Sequence, residues 1–209
     1  MSILWGSVAQ QLVFNAAAGG TEYDVTYLGK ACRLHLWTTA GDKVLTITAN
    51  PKPFWIRGFA GGGESGYADL PSYAGTAGGH GGGYELQTEL PVGDLAMHVG
   101  ASDEDTTITG IGTWGHGGHG KRTYNNTGRT NGGAGTWGGT STGSNGSNAP
   151  YEFPADPGAA LRTLPFDDPY DITGTWGRGG GQITNSPAPV NPLPGTPGLL
   201  AIWYEIEVA

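Results

Sequence analysis

Toward its C-terminal end the sequence runs Leu199-Leu200-Ala201-Ile202-Trp203-Tyr204-Glu205-Ile206-Glu207-Val208. In a strand, two-residue alternation places Leu200, Ile202, Tyr204 and Ile206 on one face and Leu199, Ala201 and Trp203 on the other. Both faces are apolar in the first half, so this strand belongs inside a sheet and needs other strands to bury it. They are found early in the chain: residues 8–14, 23–28, 32–37, 44–48 and 54–59 all read as strands, rich in β-branched and aromatic residues. Ala40-Gly41-Asp42 reads as a hairpin turn between the third and fourth. Residues 84–90 and 95–99 follow, separated by the turn residues Pro91-Val92-Gly93-Asp94. No long window repeats apolar residues at helical spacing without Gly or Pro, so helix is nearly absent from the expectation.

Between the early strands and the last one lies a stretch, residues 58–146, dominated by glycine in runs such as Gly61-Gly62-Gly63, Gly81-Gly82-Gly83 and Gly132-Gly133. Glycine loses more backbone entropy on ordering than any other residue, so such a stretch stays disordered unless backbones pair and bulky side chains anchor it. With 40 Gly and 14 Pro, composition alone points to low complexity, but 7 Trp and 9 Tyr point to a packed protein. Glycine does not recur strictly every third residue, which excludes collagen. The related polyglycine II helix remains open, with three residues per turn and only sideways hydrogen bonds.

Thr113-Trp114-Gly115, Thr136-Trp137-Gly138 and Thr175-Trp176-Gly177 repeat one tripeptide, and each Trp can pin one glycine-rich turn. The expected fold is therefore all-β: a β-sandwich frame from the first hundred residues plus the final strand, with outward-facing, polyglycine II-like loops. Residues 109–161 read as a large insertion, and Pro187, Pro189, Pro192, Pro194 and Pro197 as an extended return. Two regions are expected, residues 1–45 as strands for docking or oligomerisation and residues 46–209 as the glycine-rich β domain with its closing strand.

Formal charge is −8, and the 10 Lys and Arg are scattered, so no nucleic-acid partner is expected. The single Cys32 lies in an apolar run and reads as a buried, inert thiol. Residues 1–14 lack a basic and apolar leader pattern, and no apolar stretch reaches membrane-spanning length, so synthesis in a cytoplasm without membrane insertion is expected.

Gly110-Ile111-Gly112-Thr113-Trp114-Gly115 fits a dinucleotide fingerprint, but the following Gly-His-Gly-Gly-His-Gly cannot supply the phosphate-binding helix. Gly139-Thr140-Ser141-Thr142-Gly143 fits a nucleophile elbow without its strand and helix. His80, His116 and His119 are of metal-ligating type, but the spacing favours rings that bond loop carbonyls or face water. Asp103-Glu104-Asp105, and Asp167, Asp168 and Asp171, read as solvated turns rather than a calcium loop. No catalytic residues, cofactor or metal are therefore assigned. Trp114, Tyr124, Asn125, Asn126, Trp137 and Tyr151 are the candidate surface-binding residues. Aromatic faces pack on sugar C–H groups while amides bond hydroxyls, the alternative for Trp114 and Trp137 being buried pins of the glycine layers.

LTITANPKPFWIRGF (residues 45–59) running into Ala60-Gly61-Gly62-Gly63, GGHGGGYELQTEL (78–90), VGDLAMHVGAS (92–102) and PGLLAIWYE (197–205) together resemble the glycine-rich domain of minor tail proteins and tail fibres of tailed bacteriophages. The resemblance covers about three quarters of the chain. It implies a non-enzymatic virion component, homo-oligomeric and most readily trimeric, that contacts other phage tail proteins and sister subunits. It also implies contact with the host cell surface. The alternatives are a carbohydrate-binding adhesin at the tail tip, taking a host-envelope glycan as partner, and a capsid decoration protein.

Overall fold

The computed structural model describes residues 17–49, 53–67, 73–75, 78–120, 122–124, 135–137, 140–141, 162–167, 173–180 and 191–206. Among these the chain is all-β, without helix, and every strand pairing is antiparallel. The expected strand at residues 8–14 lies outside the described residues. One five-stranded sheet has the order β2 (Thr21–Tyr27), β3 (Lys30–Trp37), β16 (Leu199–Glu205), β5 (Phe54–Phe59), β7 (Gly83–Thr88). A seven-stranded sheet has the order β1 (Ala17–Ala18), β4 (Gly41–Ile47), β8 (Gly93–Val99), β9 (Thr106–Ile108), β10 (Gly112–Trp114), β12 (Thr136–Trp137), β13 (Thr140–Ser141). Two short pairs complete the set, β6 (Tyr73–Gly75) with β11 (Arg122–Tyr124) and β14 (Arg162–Thr163) with β15 (Thr173–Gly174).

The closing strand is the centre of the five-stranded sheet. Ile202 lies opposite His35 on β3 and Ile56 on β5. Its two faces do what alternation requires. Leu200, Ile202, Tyr204 and Ile206 enter a core shared with Leu45, Ile47, Leu95, Met97, Val99, Ile108 and Trp114 of the other sheet. Leu199, Ala201 and Trp203 enter a second cluster with Val25, Cys32, Leu34, Leu36, Phe59 and Leu164. There Phe166 and the Tyr27 ring both meet Trp203 edge-on at 5.2 Å. Cys32 is fully buried, and burial is the main cause that raises its thiol pKa to about 11, so it stays a protonated packing group.

Residues 38–40 do not make a hairpin. β3 bonds β2 and β16, whereas β4 bonds β1 and β8, so the chain crosses here from one sheet to the other. The cause is long-range: β16 fills the free edge of β3, and β4 must find another partner. The boundary expected at residue 45 falls within β4, and each sheet contains strands from both sides of it. Residues 17–45 are thus built into the frame rather than standing apart. Nor do the described residues after 109 stand outside the frame, because β10, β12 and β13 extend the seven-stranded sheet.

His35 is fully buried on β3, between the rings of Trp37 and Tyr204 at 6.3 and 5.8 Å. Its Nδ1 lies 2.7 Å from the Gly19 carbonyl oxygen and donates to it, leaving Nε2 buried without a hydrogen-bond partner. Burial pushes its pKa below the ordinary value, against the Gly19 bond and the Glu22 carboxylate at 3.7 Å, while Arg33 acts with burial. A ring harder to protonate when folded adds stability above about pH 6.5, and that stability is lost as the pH falls. His98, half-exposed and bonded to Asp42 and Glu104, is shifted upward and acts the opposite way. The urea midpoint of the native protein is therefore expected to fall between pH 7 and pH 5 more steeply than that of His35→Phe, which keeps the ring stack without the titration.

Candidate functional site

The glycine-rich segments emerge from one end of the two sheets. Residues 60–65 continue from β5, 78–82 lead into β7, 115–120 continue from β10, and 193–198 lead into β16. With residues 177–180 they bond sideways to one another. Gly79 and Gly82 donate to the carbonyls of Gly118 and Gly115, each at 2.8 Å. Gly78 and Gly81 donate to Gly180 and Gly177 at 2.9 and 2.8 Å. Ala60 and Gly63 donate to Gly82 and Gly79 at 3.0 and 2.9 Å, and Gly62 and Ser65 to Thr196 and Leu193 at 3.0 and 2.9 Å. Gly117 and Gly120 donate to Gly61 and Glu64 at 3.0 and 2.8 Å. In every case the bonded positions recur at three residues on both partners, where a β-ladder recurs at two. Residues 78–82 thereby bond three other segments and, through the His80 carbonyl, Gly135 as well.

Such contacts require backbones without a Cβ between them. A methyl group at Gly81 would overlap the carbonyl oxygen of Ala60, and one at Gly117 that of Gly79. Gly61 to Gly63 and Gly78 to Gly82 are buried, so the segments are an interior of paired backbone and not the outward-facing loops expected from sequence. Side chains tie them to the frame. The buried Thr106 hydroxyl donates to the Phe59 carbonyl and accepts from the Gly100 N–H, and Ser65 Oγ accepts from the Leu193 N–H.

The Thr-Trp-Gly repeats sit at this junction. Trp114 lies directly over Gly58, Trp137 over Gly112 and Trp176 over Gly174, where any Cβ would meet the ring. Trp114 is fully buried, and its Nε1 donates to the Tyr84 carbonyl at 3.2 Å. It is a pin and presents no face to a sugar. Trp137 is half-buried, stacked on Tyr84 at 5.1 Å and tilted against Trp114 at 4.4 Å. Tyr84, exposed at the outer end of this row, was not legible as part of it from sequence. Tyr124 ends β11, opposite Tyr73. Asn125, Asn126 and Tyr151 lie outside the described residues.

Histidines and carboxylates meet around the segments. His80 is buried, and its Nδ1 accepts the Gly179 N–H at 3.2 Å. His116 pairs with Asp105 at 2.6 Å and His119 with Asp103 at 3.5 Å. The Glu104 carboxylate pKa is lowered by the Ala101 N–H and by His98. Donor atoms of Glu64, Asp103 and His119 all lie within 4.8 Å of one another. Glu64 was missed in sequence because nothing local links it to Asp103 or His119; its only signal is its place directly after a glycine run.

No protein-family model matches this chain, and no curated protein matches it. The functional reading therefore rests on the site itself and on the resemblance carried by residues 45–63, 78–90, 92–102 and 197–205.

Proposed function

We propose that this chain is a structural, non-enzymatic minor tail protein of a bacteriophage virion, made in the host cytoplasm and assembled with sister subunits, as a trimer, and with other tail proteins. In this reading the two sheets form a β-sandwich frame, and the glycine-rich segments form a polyglycine II-like bundle mounted on its end. The observation that carries it is the three-residue recurrence of sideways bonds, which matches a helix of three residues per turn without internal hydrogen bonds. Among the described glycines of these segments only Gly177 has a positive φ, at 66°, and the others keep the sign of the left-handed extended form. Cohesion supplied mainly by paired backbone gives a stiff projection, as suits a part that meets the host surface.

The stacked Tyr84 and Trp137 favour a second reading, an adhesin that takes a host-envelope glycan on this aromatic row. Immunogold electron microscopy with an antibody to the purified chain distinguishes these from a capsid role. Gold on the tails of intact particles is expected, concentrated at the tip if the chain is an adhesin; gold on the capsid, or none on particles that contain the chain, would contradict a tail protein.

A further inference from the structure

We propose that Glu64, Asp103 and His119 form a binding site for a divalent cation of the zinc type, at the outer rim of the glycine-rich segments. The three residues come from separate parts of the chain and are brought together by backbone bonds that do not depend on the ion. The Glu64 N–H donates to Asp103 Oδ1 at 3.0 Å, the Glu64 carbonyl accepts the Gly120 N–H at 2.8 Å, and the Asp103 N–H donates to Gly62 at 3.0 Å. His119 Nε2 stands 3.5 Å from Asp103 Oδ1. For ligand bonds of about 2.0–2.2 Å, tetrahedral donors lie about 3.4 Å apart, so this pair already has the separation a bound zinc requires.

Electrostatics point the same way. Among the described residues neither carboxylate is paired with a lysine or arginine, although their donor atoms lie within 4.8 Å of each other. Two carboxylates so close repel each other, and a divalent ion between them turns that repulsion into attraction. One imidazole and two carboxylates form a borderline donor set that suits zinc, with water in the fourth position, whereas calcium and magnesium prefer oxygen alone. His119 is 61% exposed and Asp103 18%, so the ion can enter directly from solvent. The consequence is structural. A bound ion would clip residues 60–65 and 115–120 to the turn at 101–104, reinforcing the hydrogen bonds that already join them. This inference does not depend on the tail assignment.

The test is isothermal titration of the full chain with zinc chloride, with thermal melts alongside. One zinc per chain is expected, with Tm rising by roughly 5 °C at about a hundredfold excess over Kd. His119→Ala removes an exposed ligand without touching the packing, and is expected to weaken binding by at least about tenfold. Glu64→Gln should do the same, while His116→Ala leaves affinity unchanged. Absence of both heat and melting shift at millimolar zinc would overturn the proposal. So would zinc binding that survives His119→Ala, or that is lost in His116→Ala instead.

Discussion

Chain ending at residue 198 is expected to be insoluble or unfolded, with no cooperative melt and no defined oligomer by size-exclusion chromatography. The missing strand is the centre of its sheet, and Leu199, Leu200, Ile202, Trp203 and Tyr204 are all fully buried. Burying each large apolar side chain contributes on the order of 1.5–3 kcal/mol, so their sum reaches the whole stability of a typical domain. Loss of β16 also exposes the facing edges of β3 and β5, which it bonds on either side. The point substitution Ile202→Ala provides a graded version, with an expected cost of about 2–5 kcal/mol in urea unfolding. A soluble truncation with native circular dichroism would show that the frame closes without this strand.

Gly81→Ala is the second large effect, although it adds only one methyl group. That carbon would overlap the Ala60 carbonyl oxygen, and the backbone cannot retreat without breaking the bond from Gly81 N–H to Gly177. Overpacking and a lost hydrogen bond together are expected to cost about 3 kcal/mol, or a fall in Tm of roughly 6–12 °C for a chain of this size. Gly110→Ala serves as comparison. Gly110 has a φ of +77° and open space around it, so alanine there meets backbone strain without collision and is expected to cost about 1–2 kcal/mol. Equal losses at the two positions would mean that close approach does not distinguish the bonded segments from an ordinary turn.

The frame was legible wherever the signal is local. Residues 54–59 were delimited as a strand by their own composition, and the two-residue alternation of residues 199–206 sorted their side chains into the two clusters in which they are found. Pairing was not local. Ala40-Gly41-Asp42 has the chemistry of a hairpin turn, yet the partner of β3 lies more than 160 residues away, and no neighbouring residue encodes it. The glycine runs announced unusual backbone packing, but not that residues 177–180 and 193–198 would join runs far earlier in the chain. Trp114 carried both readings at once, because a ring over a glycine and a ring over a sugar require the same residue beside the same small neighbours. Only its burial decides between them. Glu64 and His119 come from two bonded segments and Asp103 from the turn at residues 101–104, a convergence that pairwise spacing along the sequence does not contain.

Amide hydrogen exchange at the glycines of the bonded segments tests the central claim most directly, namely that sideways backbone bonds order this region. Gly79, Gly81, Gly82, Gly115 and Gly117 all donate to carbonyls of other segments at 2.6–3.0 Å, and their amides are expected to exchange with protection approaching that of Ile202 and Trp203 in β16. Exchange at those five glycines as fast as in an unstructured peptide, while the β16 amides remain protected, would contradict it.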